Sequence, residues 1–406
     1  MTIPETIAYG EGLYHVLTRR SNAASARLNL TRAIVLQSQG GQASQGVTPR
    51  LWILKSPHSG DNTQLRALQA ALGWPAEVKR LAYRAHEGVL RLFSLPVLTG
   101  VDLKGSSPLV PPWPDLVICS GRGAEAVSFW LKRQNPQLRI VFVGTPWSAL
   151  DCFDLVIATP QYQVPSAANV LNIALPLHDV TPDRIAAEAE RWAPRLMHLP
   201  RPFTAVLVGG SSGPYRFTPE AARRLGEAAS KRAAARGGSL LITTSARTGE
   251  AAADALSSAL TVPHLLHRWR EGAEDNPFHA VLGLADDIVV TADSISMLAE
   301  AAATGKPLQL FDIEEGPYAM RAEEGGGTGR LPTIHWRGRT LEATLFRLMI
   351  NHLPWRFSRD LRIVHHRLIA SGRATWLGQE TGAPAGELDM DGLRQSVLRI
   401  HQLVGL

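Results

Sequence analysis

A turn rich in glycine and serine follows one predicted strand and has the residue types of an anion site. The strand Ala205–Val208 runs into Gly209-Gly210-Ser211-Ser212-Gly213-Pro214-Tyr215. Glycines let the backbone turn sharply and bring N–H groups close to a negative group, and a helix opening near Thr218-Pro219 adds its dipole. An ordinary tight strand-to-helix turn is the alternative. Neither a P-loop nor a dinucleotide fingerprint is present, because no Gly-Lys-Ser/Thr follows and the glycine spacing differs.

A second group of polar residues follows the strand Leu240–Thr243. It reads Thr244-Ser245-Ala246-Arg247-Thr248-Gly249, so one guanidinium and three hydroxyls leave the strand end together. Arginine can bind a phosphate through two parallel hydrogen bonds, which lysine cannot do. The alternative interpretation is that Thr248 caps the next helix and Arg247 is solvated.

The most informative segment follows the strand Asp287–Thr291. It reads Ala292-Asp293-Ser294-Ile295-Ser296-Met297 and leads into a helix that carries Glu300. Asp293 or Ser294 can cap that helix, and the remaining N–H groups and the helix dipole would face a negative ligand. A cap has a purely structural explanation, but a carboxylate within an otherwise apolar helix does not. We therefore predict that Glu300 accepts hydrogen bonds from ribose hydroxyls.

These three segments together predict a site that binds phosphate groups. Positive groups and helix dipoles can replace a divalent cation in that role. Asp389-Met390-Asp391 has the letters of a metal pair but is interpreted as a solvated turn, and neither His-x-x-x-His nor Cys-x-x-Cys occurs. No metal site is therefore predicted. Asn276, which precedes a predicted helix at Phe278–Leu284, would set a loop over the base or the sugar.

The first half of the chain offers a candidate general base. Asp61 follows the turn Ser56-Pro57-His58-Ser59-Gly60 and is the preferred carboxylate, with His58 as the second candidate. A structural role fits equally well, because Asp61 could be a helix N-cap with Gln64 in the capping-box position. Both roles are compatible with each other.

A lone arginine follows another first-half strand. Arg122 comes after the strand that ends at Ser120, where it could contact an acceptor or a phosphate. A solvated surface arginine is the alternative. Arg122 is grouped with Gly60, Asn62 and Gln64 as candidate binding residues of the first half.

Length and composition bound the class of protein that must position these residues. The chain has 406 residues, of which 45% are hydrophobic and 19% charged, so wholesale disorder is excluded. At about 150 residues per domain, two or three domains are expected. The 42 basic and 36 acidic side chains give a net charge of +6. This balance suits contact with phosphates or an anionic surface, but is too modest for a dedicated nucleic-acid binder.

The cysteines and the apolar runs point to a soluble cytoplasmic protein. Two cysteines, Cys119 and Cys152, cannot form a disulfide framework and are predicted to be buried core thiols. No run approaches about 18 consecutive apolar residues, so no transmembrane helix is expected. The first residues, MTIPETIAYGEG, lack the basic and apolar regions of a secretory signal.

Short apolar runs alternate with helical stretches in two sets. Consecutive apolar positions indicate strands that are covered on both faces, and the alternation is typical of parallel sheets with helices on both sides. The first set of predicted strands is Ala33–Gln37, Leu51–Leu54, Leu116–Ser120, Ile140–Val143, Leu155–Ala158 and Val170–Ile173. The second set, after Pro200-Arg201-Pro202, is Thr204–Val208, Ser239–Thr244, His264–His267, Ile288–Thr291 and Leu308–Phe311. The predicted helices are Asn62–Leu72, Gly123–Arg133, Pro219–Arg236, Gly249–Leu260, Phe278–Leu284, Ile295–Thr304, Leu341–Leu353 and Asp391–Val404. Gly325–Gly329 is a candidate mobile loop.

The segment from Arg330 to Trp376 combines arginines with tryptophans. Its only acids are Glu342 and Asp360, and Trp336, Trp355 and Trp376 are interleaved with the arginines. Arginine and tryptophan suit a peripheral contact with an anionic membrane, which would suit a lipid-linked acceptor. The competing interpretation is that the aromatic residues pack inside the protein while the arginines are solvated. Nucleic-acid binding ranks third, since no recognition motif accompanies these residues.

Several runs, in order along most of the chain, resemble one known family. They are Gly60-Asp61-Asn62 with Gln64, Pro114-Asp115 to Gly121-Arg122, Phe153–Ile157 through Asn169-Val170 and His178, Gly209-Gly210, Thr244-Ser245 with Arg247-Thr248, Asn276-Pro277-Phe278, Leu284-Ala285-Asp286, Thr291–Met297, Glu300-Ala301 and Thr304–Pro307. Together they are similar to the mitochondrial fission ELM family, a bacterial and plant family named after a plant mitochondrial-fission factor.

Three positions depart from the family pattern. Ala246 stands where the family usually has the first of two arginines, and Phe278 replaces a common Tyr or His. Gln161-Tyr162-Gln163 stands where a His-Asp pair is usual, so no His/Asp base is predicted at that loop.

The resemblance implies an α/β, GT-B-like fold, with two Rossmann-like parallel-sheet domains facing a cleft and a C-terminal helix crossing back. The predicted domains are a lead-in at 1–30, an acceptor-side domain at 31–200, a nucleotide-sugar domain at 201–345 and a basic helical tail at 346–406. It further implies a glycosyltransferase-like protein that binds a nucleotide-diphospho-sugar and transfers the sugar to an envelope or lipid-linked acceptor. The alternative is a non-catalytic scaffold, associated with membranes or division, that retains the fold. A cytoplasmic location, with peripheral contact at the inner membrane face, is expected.

The predicted residues fall into three groups. The catalytic candidates are Asp61 and His58. The acceptor-side candidates are Gly60, Asn62, Gln64 and Arg122. The nucleotide-sugar candidates are Gly209, Gly210, Ser211, Ser212, Tyr215, Thr244, Ser245, Arg247, Asn276, Asp293, Ser294, Ser296, Met297 and Glu300. No cofactor is predicted, since the nucleotide-sugar would be a substrate.

Overall fold

A computed structural model describes residues 48–83, 98, 100–272, 275–321, 341–357, 359–379 and 388–406. The chain divides into two compact units, Met1–Thr48 and Pro49–Leu406, and all of the described residues except Thr48 belong to the second unit. The predicted lead-in, the predicted strand Ala33–Gln37, the loop Gly325–Gly329 and Trp336 lie outside the described residues.

The first sheet has six parallel strands in the order β2-β1-β3-β4-β5-β6. They are β1 (Leu51–Lys55), β2 (Ala76–Arg80), β3 (Leu116–Cys119), β4 (Arg139–Val143), β5 (Leu155–Ala158) and β6 (Val170–Asn172). Leu51 and Ile53 contribute to a hydrophobic cluster on one face, while Trp52 and Leu54 contribute to a cluster on the other. Each such buried side chain contributes roughly 1.5–3 kcal/mol, so these apolar runs fix a sheet covered on both sides.

The second sheet repeats this plan in the order β12-β11-β10-β7-β8-β9, again with parallel neighbours. Its strands are β7 (Phe203–Leu207), β8 (Ser239–Thr243), β9 (His264–His267), β10 (Asp287–Thr291), β11 (Leu308–Phe311) and β12 (Thr375–Trp376). Strands β7, β8 and β10 are buried along their whole length. Because they are neighbours, the three loops at their carboxyl ends meet at one edge of the sheet.

The described residues form ten α-helices. They are α1 (Ser59–Leu72), α2 (Arg122–Gln134), α3 (Pro182–Leu196), α4 (Pro219–Ala235), α5 (Glu250–Ser258), α6 (Phe278–Leu284), α7 (Ile295–Ala303), α8 (Leu341–His352), α9 (Arg362–Ala370) and α10 (Gly392–Val404). Thr181 and Thr218 cap α3 and α4 through their side chains, and a proline follows each as the first helical residue.

The C-terminal helix returns to the first sheet. Ile400 of α10 is fully buried in the cluster that contains Leu51 and Ile53. The ring of His401 stacks on Trp74 with centroids 5.1 Å apart. The structure therefore confirms the predicted fold class: two Rossmann-like parallel sheets with helices, and a terminal helix that crosses back. The domain boundaries stay predictions.

Several local predictions were wrong. Strands β2 and β12 and helices α3 and α9 were not predicted. Cys119 is buried as expected, but Cys152 is exposed, because it ends a short 3₁₀ turn rather than entering strand β5.

The tryptophans of the tail pack inside the protein where they are described. Trp376 is buried in the core of the second sheet, and Trp355 packs against the core of the first. These two residues therefore follow the competing interpretation of the tail rather than the membrane interpretation.

Candidate functional site

The carboxyl ends of β7, β8 and β10 bring the three predicted segments together. Ser245 and Thr248, after β8, both donate hydrogen bonds to the carbonyl of Gly209, each at 2.6 Å. The Gly209 N–H donates to the Thr291 hydroxyl at 2.7 Å, and the Gly210 N–H donates to an Asp293 carboxylate oxygen at 2.9 Å. The glycine loop is thus held between the ends of its two neighbouring strands.

Both glycines in this loop are required by close contacts. A Cβ on Gly210 would lie 2.0 Å from the Arg247 carbonyl oxygen, and a Cβ on Gly209 would lie 2.4 Å from the Asp293 carboxylate. No side chain fits at either position. The glycines therefore allow the loops to approach, which is a structural role beside the predicted one.

The predicted anion site is occupied by a carboxylate of the protein itself. Arg247 forms an ion pair with Asp293, with the guanidinium Nη1 2.8 Å from the carboxylate oxygen that also accepts the Gly210 N–H. Arg247 also donates to the Ser211 carbonyl at 3.1 Å. The expectation that Gly209 and Gly210 present free amides was therefore wrong, because Thr291 and Asp293 already bind them.

The Asp293 carboxylate is fully buried, and burial raises its pKa above the ordinary value. Arg247 and the Gly210 amide act in the opposite direction, because they stabilise the charged form. Ser294 is the N-cap residue of α7 but makes no side-chain cap hydrogen bond, and Asp293 points to the glycine loop. The first-turn amides of α7 have no partner within the helix, as at every helix start.

The first turn of α1 faces the start of α7. A Cβ placed on Gly60 would lie 3.2 Å from the Ser296 hydroxyl, so residues predicted for opposite sides of the cleft are neighbours. Glu300 follows Ser296 by four residues and lies on the same face of α7. The structure thus brings Gly60, Ser296 and Glu300 into one region between the sheets.

The Glu300 carboxyl is buried, and its pKa is raised to about 8, first by burial and then by repulsion from Asp179. Asp179 itself has a lowered pKa, because His279 and Arg184 hydrogen-bond to its charged form. Glu300 is therefore predominantly neutral at pH 7, and a neutral carboxyl can both donate to and accept from a hydroxyl.

Asp61 is held at the start of α1 by the residues before it. Its carboxylate accepts a hydrogen bond from the Ser56 hydroxyl at 2.8 Å. Asn62 binds the Ser56 backbone in both directions, at 2.9 and 2.8 Å. The N-cap residue is His58, which makes no side-chain cap hydrogen bond. The alternative of Asp61 as N-cap was therefore wrong, since Asp61 lies within the first turn.

A cavity of about 330 Å³ lies between the carboxyl ends of the first sheet and the glycine loop. Arg122 lines it from the first sheet, and Ser212 lines it from the second. The Arg122 guanidinium lies over the Trp147 ring, 3.7 Å from its centroid, and burial lowers its pKa. Arg122 is therefore not the freely solvated arginine of the alternative interpretation.

Other predicted residues have mainly structural contacts. Tyr215 is fully buried in the second core, so its side chain is not presented to a ligand. The hydroxyls of Ser211 and Thr244 accept backbone N–H groups of Phe217 and Trp269. Asn276 is exposed and accepts the Phe278 N–H, Met297 packs against the second core, and Gln64 is half-buried in α1.

Residues 59–325 match the family model described as mitochondrial fission ELM1. This stretch is well over half of the chain. The chain belongs to the mitochondrial fission ELM1 family.

Two relatives place this ELM1-family chain beside bacterial and plant proteins. A protein of Rickettsia prowazekii (strain Madrid E), described as uncharacterized, is 24% identical over 299 residues, or 64% of this chain and 82% of that protein. Mitochondrial fission protein ELM1 of Arabidopsis thaliana is 26% identical over 225 residues, or 50% of this chain. The match spans 52% of the plant protein.

Solved structures that are similar to this ELM1-family protein have lower sequence identity to it than these two relatives. UDP-GlcNAc 2-epimerase from Neisseria meningitidis, bound to UDP-GlcNAc, is 12% identical with a TM-score of 0.41, covering 87% of this chain and 99% of that one. MurG of Acinetobacter baumannii is 13% identical with a TM-score of 0.39, over 88% and 92% of the chains. ADP-heptose lipopolysaccharide heptosyltransferase II of E. coli is 12% identical with a TM-score of 0.39, over 87% and 98%.

Sequence reasoning missed several residues of the ELM1-family site. Trp147 and Thr145 line the cavity, and their position directly after strand β4 is the signal that could have found them. His365 of α9 is different, because it reaches the site from a distant part of the chain. Its Nε2 donates to the Ala292 carbonyl at 2.6 Å, behind the loop that carries Asp293.

Two further findings concern the described part of the chain. No cluster of His, Cys, Asp or Glu side chains there could hold a metal ion. None of the helices described is long and apolar enough to cross a membrane.

Proposed function

We propose that this ELM1-family protein binds a nucleotide-diphospho-sugar between its two sheets and transfers the sugar to an acceptor without a metal ion. The observation that carries the proposal is the Asp293 carboxylate, which the Gly210 amide and the Arg247 guanidinium hold together. An amide and a guanidinium that bind a carboxylate oxygen have the donors that a phosphate oxygen needs. On this view Asp293 fills the diphosphate position until the ligand displaces it.

The proposed transfer is a single displacement at the anomeric carbon. The acceptor oxygen forms a bond to that carbon as the bond to the diphosphate oxygen breaks, and the diphosphate leaves with the electron pair. Arg247 and the first-turn amides of α7 stabilise the leaving charge. The acceptor proton passes to the Asp61 carboxylate, and the neutral Glu300 carboxyl binds the ribose hydroxyls.

Thermal unfolding in the presence of UDP, GDP, ADP and their sugars tests the proposal. A ligand at ten times its Kd adds about 1.4 kcal/mol to the free energy of unfolding, and we expect one nucleotide series to raise the Tm in this way. Arg247→Gln should weaken that ligand about tenfold, since a charge-assisted hydrogen bond is lost. Arg270→Gln is the matched control, because Arg270 is an exposed arginine of the same half of the chain. Wild-type protein whose Tm responds to none of these ligands would contradict the proposal.

The second candidate is a non-catalytic scaffold that retains this fold. The ion pair between Arg247 and Asp293 favours the scaffold. If Asp293 fills the anion site permanently, the site binds no ligand. A scaffold would give no Tm shift with any nucleotide-sugar, in wild type or in a variant that lacks the Asp293 charge.

A further inference from the structure

We propose that the cavity between the sheets binds the phosphate group of a membrane lipid, and that α8 lies against the membrane that carries it. The inference rests on the proposed function only where the lipid is called the acceptor for sugar transfer. Lipid binding itself can be measured without any nucleotide-sugar.

The cavity combines cationic and apolar surfaces. Its lining contains three arginines and no carboxylate, together with several aromatic and aliphatic side chains. The lining residues that carry the argument are Arg122, Arg356, Arg359, Trp147, Phe346 and Phe357. A ligand that satisfies both surfaces has an anionic group and an apolar part.

The positive charges in the cavity are only partly compensated by the protein, since the Glu125 carboxylate acts on Arg122. No described carboxylate forms an ion pair with Arg122, Arg356 or Arg359. The Nε of Arg356 is buried and has no hydrogen-bond partner in the described part of the chain. Burial lowers the pKa of Arg122, because its charge is desolvated. A desolvated guanidinium without an ion pair is costly, so an incoming phosphate would stabilise Arg122 and Arg356, while the exposed Arg359 adds positive charge at the cavity.

Helix α8 buries an arginine and exposes two leucines. Arg347 is only 2% exposed, whereas Leu345 and Leu348 are 56% and 40% exposed. Arg347 lies over the Tyr318 ring at 4.2 Å and donates to the Pro214 carbonyl at 3.2 Å. A water-facing helix normally buries leucines and exposes arginines. The outward leucines therefore offer an apolar surface to a membrane.

The exposed apolar face continues beyond the end of α8 toward the cavity. Leu353 and Phe357 are 46% and 38% exposed, and Phe357 also lines the cavity. Arg359, which is exposed, supplies positive charge beside them. Leucine with flanking cations suits the surface of an anionic bilayer. A lipid phosphate could enter the cavity past Phe357 while its chains stay in the membrane.

Binding of dodecyl phosphate, below its micelle concentration, separates the two parts of the ligand. Calorimetric titration of the full chain should give a Kd at least tenfold lower than for inorganic phosphate, which lacks the chain. Dodecyl maltoside has the same alkyl chain but a neutral head group, and it should bind at least tenfold more weakly than dodecyl phosphate. Equal affinity for inorganic phosphate and dodecyl phosphate would overturn the lipid assignment in favour of a small phosphate compound.

Charge variants test the cavity. Arg122→Gln should weaken dodecyl phosphate about tenfold, because one charge-assisted contact is lost. Arg359→Gln, at an exposed position, is the second variant should Arg122→Gln fail to fold. Arg133→Gln is the matched control, since Arg133 is exposed on the same helix α2 and does not line the cavity. Unchanged binding in both Arg122→Gln and Arg359→Gln would refute the proposed site.

Flotation with vesicles tests the membrane face. Wild type should float with phosphatidylcholine vesicles that contain phosphatidic acid, and not with phosphatidylcholine alone. The double variant Leu345→Gln/Leu348→Gln should bind such vesicles about tenfold more weakly, whereas Leu398→Gln, at an exposed leucine of α10, should bind like wild type. A double variant that floats like wild type would rule out α8 as the membrane contact.

The two proposals fail independently. Loss of nucleotide-sugar binding, with Arg122-dependent binding of dodecyl phosphate retained, would remove the proposed transfer and leave the lipid site. Nucleotide-sugar binding without any binding of dodecyl phosphate would remove the lipid site and leave the transfer to another acceptor.

Discussion

At the scale of single residues, the site contains two buried carboxyl groups in opposite situations. Asp293 has an arginine and a backbone amide as partners. Glu300 has none in the described chain, and burial together with Asp179 raises its pKa to about 8. Replacing Asp293 therefore tests whether the anion site can bind a phosphate. Replacing Glu300 tests whether its carboxyl is neutral in the folded protein.

Glu300→Gln should change how stability depends on pH. The Glu300 pKa rises from 4.5 to about 8 on folding, so between these values the folded state holds a proton that the unfolded chain has lost. Wild-type stability therefore falls as the pH rises through this window. Glutamine does not titrate, so the variant should gain on the order of 2–4 kcal/mol relative to wild type from pH 5 to pH 8.

Urea unfolding at a series of pH values checks this prediction. Glu271→Gln is the control, because Glu271 is exposed and its replacement should leave the pH profile unchanged. If the wild-type and Glu300→Gln profiles run parallel, Glu300 is not neutral in the folded protein.

Asp293→Asn should strengthen the binding of pyrophosphate about tenfold, because Arg247 loses its internal counter-ion. The asparagine oxygen can still accept the Gly210 N–H, so the loop keeps its shape. Calorimetric titration with pyrophosphate measures the effect. Asp286→Asn is the control, since Asp286 pairs with Arg201 beside the start of β7, at the opposite end of the strand. Weaker binding in Asp293→Asn would show that Asp293 supports the anion site instead of competing for it.

At the scale of elements, apolar runs predicted the central strands because both faces of each strand are buried. The same reasoning missed β2, an edge strand whose residues include Glu77, Lys79 and an exposed Val78. Edge strands are often polar, so an apolar pattern cannot find them. Strand β12 has only two residues, too few to show any period.

The convergence of the site loops was likewise predictable, whereas their contacts were not. Carboxyl ends of neighbouring parallel strands meet at one edge, so the segments after β7, β8 and β10 had to lie together. Which group binds the Gly210 amide depends on the side-chain direction of Asp293, 83 residues away. A sequence pattern carries no information about that direction.

At the scale of the whole molecule, the last helix determines the stability of the first sheet. Ile400→Ala should lower the free energy of unfolding by roughly 2–5 kcal/mol, because it opens a cavity in a fully buried cluster. Urea unfolding measures the loss. Leu398→Ala, at a position of the same helix that is 49% exposed, should cost less than about 0.5 kcal/mol. Equal losses in the two variants would mean that α10 does not pack on this sheet as described.

Because α10 returns to the first sheet, the chain segment that joins β6 to β7 is not the only physical link between the two sheets. Besides the packing of Ile400, Arg399 donates to the Ala168 carbonyl at 2.7 Å, and the Asp360 N–H donates to the Gln161 carbonyl at 2.9 Å. A chain cut near Pro200 would leave a second fragment that still carries the helix covering the first. Such a protein could be produced as two co-expressed pieces that reassemble, with each half available for separate isotopic labelling.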